Sequence, residues 1–300
     1  MEFSIMIPVY NEENRIRMIL DSIVGHCDDI VIIDKSSTDN TRNIIFEFYP
    51  SARVISFPYS NKGEDDFLLY NEFAKYDWVF VCVASEVVPD KFWFKFVELI
   101  ESGKMNTIDI VMVPRKYHCF GSNVKNSPWD VAYFPFFFNK NRIVYTGELH
   151  VPFSIKDERK RLYLHLERSE MIIHNTHATY DSFIRSSINY GGIEAGFLTR
   201  DNACNKMQEC VEKIYEGNRK FKDVDFCIDA VSQYAAWNLY WSMHMLMFSE
   251  RYKELGGRPK KNFLTLSFSR RFKIYLRIKL RRFFLRYALF RILYNKIKNE

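Results

Sequence analysis

Over the first 115 residues, short continuous apolar runs alternate with stripes of apolar residues three and four positions apart. The runs predict buried strands at residues 3–8, 29–34, 54–57, 78–83 and 108–113. Pro8 ends the first of them, because it has no N–H for a ladder. The stripes predict helices between the strands. In the first helix Ile16, Ile19, Leu20, Ile23 and Val24 fall on one face, with Asn11 as its cap and Glu12 and Glu13 in its first turn. Residues 36–40 read as a turn, 41–48 and 65–75 as helices, and Pro89 as the opening of another. Strands alternating with helices predict an α/β fold with a mostly parallel, Rossmann-like sheet.

Ligands of such sheets bind beyond the carboxyl ends of the strands. Residues 8–12, 34–39 and 84–86 all fall at such ends, so residues 1–115 read as the nucleotide-binding half. Residues 116–178 are less regular, with short strands and an aromatic cluster from Trp129 to Phe138, and read as an acceptor-side region. Residues 179–257 turn helical, and Gly256-Gly257-Arg258-Pro259 breaks the pattern before a tail at 258–300.

Charge sharpens that division. The chain carries +6 overall, but from Arg258 onward 14 Lys and Arg face one acid, which leaves the first 257 residues at −7. Between Phe272 and Tyr294 apolar residues recur at steps of three and four, beside a line of Arg270, Lys273, Arg277 and Arg281. A cationic amphipathic helix of this composition predicts an anionic membrane surface as partner, on the inner face of the cytoplasmic membrane. A helix packed on the domain is the other reading of the same residues. The 17% aromatic content comes with no RNA- or DNA-binding module, so nucleic acid is not expected as a partner. The six cysteines form no C-x-x-C pair, which argues against a thiolate metal site and for reduced thiols in a cytoplasmic setting. No secretory leader and no apolar run of spanning length is apparent.

Three segments then carry a family likeness. Ile7-Pro8-Val9-Tyr10-Asn11-Glu12-Glu13, Ile33-Asp34-Lys35-Ser36-Ser37-Thr38-Asp39-Asn40-Thr41 and Asp77-Trp78 through Glu86-Val87-Val88-Pro89 resemble, in order and spacing, the motifs of family 2 glycosyltransferases. The resemblance implies a GT-A fold and a nucleotide-sugar donor, a UDP-sugar above all, with a glycan or lipid-linked acceptor. It extends loosely through Gly147-Glu148-Leu149-His150 and Ile173-His174, and points to bacterial enzymes of lipopolysaccharide core and capsule assembly. Pro8, Tyr10 and Glu12 would line the base and ribose pocket, with Asp39 and Ser85 beside it. Asp34 would accept a hydrogen bond from the base, whose imide N–H suits a carboxylate and whose face suits a tyrosine ring.

The chain departs from the family where charge matters most. Family members place two aspartates two residues apart to grip a divalent cation, Mg²⁺ or Mn²⁺, under the diphosphate. Val83 and Ser85 stand at those positions, and only the following Glu86 keeps a carboxylate. An expected arginine of an R-L-F element reads as apolar in Phe136-Phe137-Phe138, Tyr70-Asn71 replaces a basic residue before Asn, and the family's H-E pair reads His150-Val151. Glu86 and Glu148 remain as candidate general bases for the acceptor hydroxyl. Glu86 with His150 are the candidate metal ligands, and His174 a further metal or phosphate contact. Lys35, Lys62 or Arg115 could stand in electrostatically for a missing ion. A catalytically silent GT-A domain that serves as a nucleotide- or partner-binding scaffold is the alternative.

Overall fold

The computed structural model describes residues 2–59, 66–148, 151–155, 157, 160–221, 224 and 227–257, the side chains of 148, 151 and 152 excepted. Lys62, His150 and the basic tail at 258–300 lie outside the described residues.

The first half alternates strand and helix as its pattern predicts: β1 (Ser4–Val9), α1 (Ile16–Ile23), β2 (Asp29–Asp34), α2 (Thr41–Phe48), β3 (Arg53–Ser56), α3 (Asp66–Phe73), β4 (Trp78–Val81), β5 (Glu86–Val87) and α4 (Asp90–Glu101). The irregular region resolves into β6 (Ile110–Cys119), β7 (Val131–Asn139), β8 (Ile143–Glu148), β9 (Val151–Ile155), β10 (Arg161–Tyr163) and β11 (Ile172–His177). Among the described residues one nine-stranded sheet runs β3-β2-β1-β4-β7-β6-β11-β5, with β10 also on β6, and β8 and β9 form a separate hairpin. The β3-β2-β1-β4 core is parallel, while β7 enters antiparallel between β4 and β6.

Both faces of that core are covered, which is why its strands read as continuous apolar runs. Successive side chains point to opposite faces. Ile5, Ile7, Ile30, Ile32 and Phe80 therefore pack with α1 and α4, through Ile16, Leu20, Phe92 and Phe96. Met6, Val31, Ile33, Val79 and Val81 join Leu69, Tyr70, Phe138 and Phe153 on the other face. Burying each such side chain contributes about 1.5–3 kcal/mol. Tyr70, where the family motif has a basic residue, is a core residue of this second face.

Three local expectations are corrected. Asn11 does not cap α1, which starts at Ile16; it sits in the loop at φ 54°, a left-handed conformation asparagine tolerates, and its side chain reaches the neighbouring loop. Pro89 sits one residue ahead of α4, as its N-cap. Pro8 ends one ladder only: β1 leaves β4 after Met6↔Val81 but stays paired with β2 as far as Val9↔Asp34. The missing N–H thus falls on the side where the β4 pairing ends.

Helices α5 (Tyr180–Gly196), α6 (Ala203–Lys220) and α7 (Ile228–Glu254) complete the described chain. Thr179 and Ser182 form a reciprocal capping box at the start of α5. Helices α6 and α7 pack closely because Gly217 leaves room for the Trp237 ring; a Cβ there would stand 2.4 Å from it. The helices dock on the loop after β6. Gln233 Nε2 donates to the carbonyls of Cys119 (3.3 Å) and Ser122 (3.0 Å), and Trp129 packs between Phe183 and Trp237. No described helix is long and apolar enough to cross a membrane.

Candidate functional site

The carboxyl ends of β1 and β2 form one corner of the site. Their loops are riveted together by polar side chains. Asn11 Oδ1 accepts from the Thr38 amide at 2.8 Å, and the Asn11 amide donates to Ser37 Oγ. Asp39 accepts from the Glu13 amide through Oδ2 and from the Thr41 amide through Oδ1. Burial raises the Asp39 pKa, but the hydrogen bond from the Thr41 hydroxyl, followed by those from the two amides, outweighs it and holds the carboxyl below its ordinary range. Glu12 is paired through both oxygens with Arg15, at 2.7 and 2.8 Å. Asp39 and Glu12 thus shape the loops, and their carboxylates face protein partners.

Asp34 is different. It is 0% exposed, and its Oδ1 accepts from the Ser37 amide at 3.0 Å. Its Oδ2 is buried without a hydrogen-bond partner, with Arg42 Nε 3.5 Å away. A buried carboxylate oxygen left unsatisfied is costly unless something else completes it. Beyond it, at the end of β1 and after β3, Tyr10 and Tyr59 are 40% and 49% exposed, with ring centroids 4.3 Å apart. Pro8 is half-buried in the strand leading there.

The second corner lies where β4 ends and β5 begins. Glu86 is fully buried and each of its oxygens is engaged: Oε1 accepts from Arg115 Nη1 at 2.6 Å, and Oε2 from the Val83 amide at 3.0 Å. Burial raises its pKa and Arg115 opposes the rise. Arg115 also donates to the Tyr117 hydroxyl, and its guanidinium lies 3.9 Å from the Phe134 ring centroid and 4.8 Å from that of Phe136. So where the family motif has arginine, the Phe136 ring carries an arginine from the neighbouring strand. Strand pairing puts His174 opposite Glu86 and Tyr117. His174 Nε2 is 3.2 Å from Ser85 Oγ, and its Nδ1 is 3.8 Å from Glu86 Oε1. Burial, then Arg115, His177 and Arg15, press the His174 pKa well below the usual imidazole value. His177 is lowered to about 4, by burial and then by Arg15. Both rings are neutral at pH 7.

Of the other sequence-derived candidates, Lys35 is buried and paired with Asp66 at 2.8 Å. Glu148 closes β8, its side chain outside the described residues.

A family-level sequence match accords with this architecture. The sequence model of a family described as glycosyl transferase family 2 matches residues 4–161, just over half of the chain. The chain belongs to glycosyl transferase family 2. Its sheet and C-terminal helices are those of the GT-A fold that the resemblance implies. No curated protein matches this family 2 chain. Similar solved structures include glucosyl-3-phosphoglycerate synthase from Mycobacterium tuberculosis in complex with Mn²⁺ and UDP-glucose. It is 24% identical over 38% of this chain and 43% of its own, with a TM-score of 0.31. S. aureus TarS 1–349 in complex with UDP is 12% identical over 90% of this chain and 76% of its own, with a TM-score of 0.44. The match to the synthase thus spans less than half of that protein's length.

Sequence reasoning names His174, Arg115, Glu86 and Ser85 singly but not as one cluster, since that depends on the register of β5, β6 and β11. It misses Tyr59, His177 and Arg15. Tyr59 lies just past the third strand, the kind of position where an exposed ring could have been suspected.

Proposed function

We propose that this chain transfers a sugar from a nucleotide-sugar donor, a UDP-sugar by preference, to a glycan or lipid-linked acceptor in cell-surface polysaccharide synthesis. The observation that carries the reading is Asp34 Oδ2, buried at a strand end with no hydrogen-bond partner beside two exposed tyrosine rings. A uracil-like base would complete it, its imide N–H donating to Oδ2 and its face lying on an aromatic ring. Pro8 and the β1–β2 loops, through Glu12 and Asp39, would shape the ribose pocket, with Ser85 at the diphosphate end.

An acceptor hydroxyl must lose its proton as the new glycosidic bond forms. We assign that proton to Glu148, at the end of β8. Glu86 is a positioning residue in this reading, because each oxygen is already held by Arg115 or a backbone amide. The tail would hold the enzyme on the inner face of the membrane. Its charge pattern supports that reading, and deletion of 258–300 should release the protein from anionic vesicles at physiological salt.

Calorimetric titration with UDP-, GDP- and CDP-sugars tests the donor assignment. Binding of one class, with release of its nucleoside diphosphate on addition of acceptor glycans, is the expected result; no binding of any sinks it. A second reading is a silent scaffold, favoured by Val83 and Ser85 in place of the paired aspartates. Tight nucleotide binding with no turnover by the chain against any acceptor would select it.

A further inference from the structure

The pair of carboxylates that would hold a divalent cation is replaced in this chain by a set of groups that engage one another. Val83 contributes an apolar side chain, and its backbone amide is spent on Glu86 Oε2. Ser85 is 8% exposed and its hydroxyl is tied to His174. Glu86 is closed off by Arg115 at 2.6 Å. A hard divalent cation needs several oxygen ligands at about 2.0–2.6 Å, most of them anionic. Binding one here would require Glu86 to leave a guanidinium that has no other carboxylate within 4 Å among the described residues. Breaking such a buried pair is strongly unfavourable, because it leaves an uncompensated charge in the interior. The donor set does not fit a divalent cation, and among the described residues no group of three His, Cys, Asp or Glu is placed to hold one.

A diphosphate still needs positive charge where it binds. Arg15 stands at the start of α1 with its guanidinium 44% exposed, next to the loop that carries Tyr10 and Glu12. The same stretch of chain borders the corner of Ser85, whose carbonyl accepts from the Asn175 amide at 2.8 Å. Helix α1 begins one residue after Arg15, and Met18 in its first turn meets that same Asn175, Sδ to Nδ2 at 3.9 Å. Arginine presents a planar fork of donors suited to phosphate oxygens, and here it is tethered by Glu12.

We propose that this chain binds the diphosphate of its donor without a divalent cation, with Arg15 meeting the charge that an ion meets elsewhere. The inference rests on the donor reading above, and the two can be told apart. The probes are UDP, GDP and CDP with their parent nucleosides, titrated calorimetrically into the full chain in EDTA and in millimolar Mn²⁺, with the Mn²⁺ electron paramagnetic resonance signal followed in parallel.

The expected result is one nucleoside diphosphate bound with the same affinity, within about twofold, in both buffers. It should bind more tightly than its nucleoside, with no protein-dependent loss of the free Mn²⁺ signal. Arg15→Gln should weaken the diphosphate at least tenfold in EDTA, unrelieved by Mn²⁺, and leave the nucleoside unchanged. Tenfold tighter binding in Mn²⁺, or an Arg15→Gln variant that holds the diphosphate as well as the parent, overturns the inference while the donor reading stands. Failure of every nucleoside and diphosphate to bind removes the donor reading and this inference with it.

Discussion

Two corners of one sheet edge, built from neighbouring strand ends, hold their charges in opposite ways. At the ends of β1 and β2 side chains hold the loop amides of Asn11, Glu13, Ser37 and Thr38, but one oxygen of Asp34 is buried without a hydrogen bond, only Arg42 Nε standing 3.5 Å off, and two tyrosine rings stand open. At the end of β4 the side chains close on each other: Glu86 on Arg115, Ser85 on His174, Arg115 on the rings of Phe134 and Phe136. Buried polar groups in native proteins are nearly always paired, so an exception at a strand end is where a ligand is to be sought. The first corner is built as one half of a hydrogen bond. The second has closed its charges on one another, with Arg115 Nε and His174 Nδ1 left buried and without hydrogen bonds of their own.

The comparison breaks most sharply at Glu86. Glu86→Ala leaves the Arg115 guanidinium buried without its carboxylate, and should destabilise the fold by about 3–5 kcal/mol in urea unfolding. The double variant Glu86→Leu with Arg115→Met should lose much less, because removing both charges also removes the cost of burying them. A single variant as stable as the parent would mean that the corner is open to water and not closed.

Asp34 should behave in the reverse sense. Asp34→Asn keeps an oxygen for the Ser37 amide and places an N–H₂ where Oδ2 stood, facing the donor of a base. Stability should change by less than about 1 kcal/mol. Affinity for the bound nucleotide should fall tenfold to a hundredfold, the value of one hydrogen bond to a charged group plus a clash of donors. Unchanged affinity in calorimetry would place the base elsewhere.

Much of the first corner is legible in the sequence. Asp34, Tyr10 and the loop residues follow short strands whose apolar runs mark their ends, and local pattern is enough to find them. Even there Asn11 misleads. An asparagine ahead of an apolar stripe reads as a cap, but its carboxamide binds the backbone of the next loop, a contact between residues 27 apart. The second corner is illegible for a physical reason. Glu86, Arg115 and His174 come from three strands, and only the β5-β11-β6 register, which includes an antiparallel pair, brings them together. The loss of the aspartates can be seen at Val83 and Ser85, but what closes the gap cannot.

Acid should probe the second corner more gently. His177 titrates at about 4 in the folded chain, against an ordinary 6.5. The unfolded chain therefore binds a proton that the folded one refuses, and stability falls as pH drops from about 6.5 to 4. Water reaches part of the ring, so the loss from this residue is about 1–2 kcal/mol. His174 pulls in the same direction. The difference in urea midpoint between His177→Asn and the parent should narrow or reverse in the variant's favour between pH 7 and pH 4.5. A difference that stays constant would show that the ring is protonated freely in the fold.

The smallest expected effect falls on the first corner, at Tyr59. Its ring leans at 45° on Tyr10 and is about half exposed, so neither stability nor chemistry depends on it. If the pair is a platform for the base, Tyr59→Ala should weaken nucleotide binding about fivefold to tenfold, within the range of about 1–3 kcal/mol known for a base stacked on an aromatic ring. Tyr59→Phe should bind as the parent does, since the ring face and not the hydroxyl does the work. The loss should be equal for nucleoside and nucleoside diphosphate, because the ring meets the base alone. A loss confined to the diphosphate would move Tyr59 to the phosphate side and leave Asp34 without its aromatic neighbour. That result would undo the division of the site into a base corner and a charge corner.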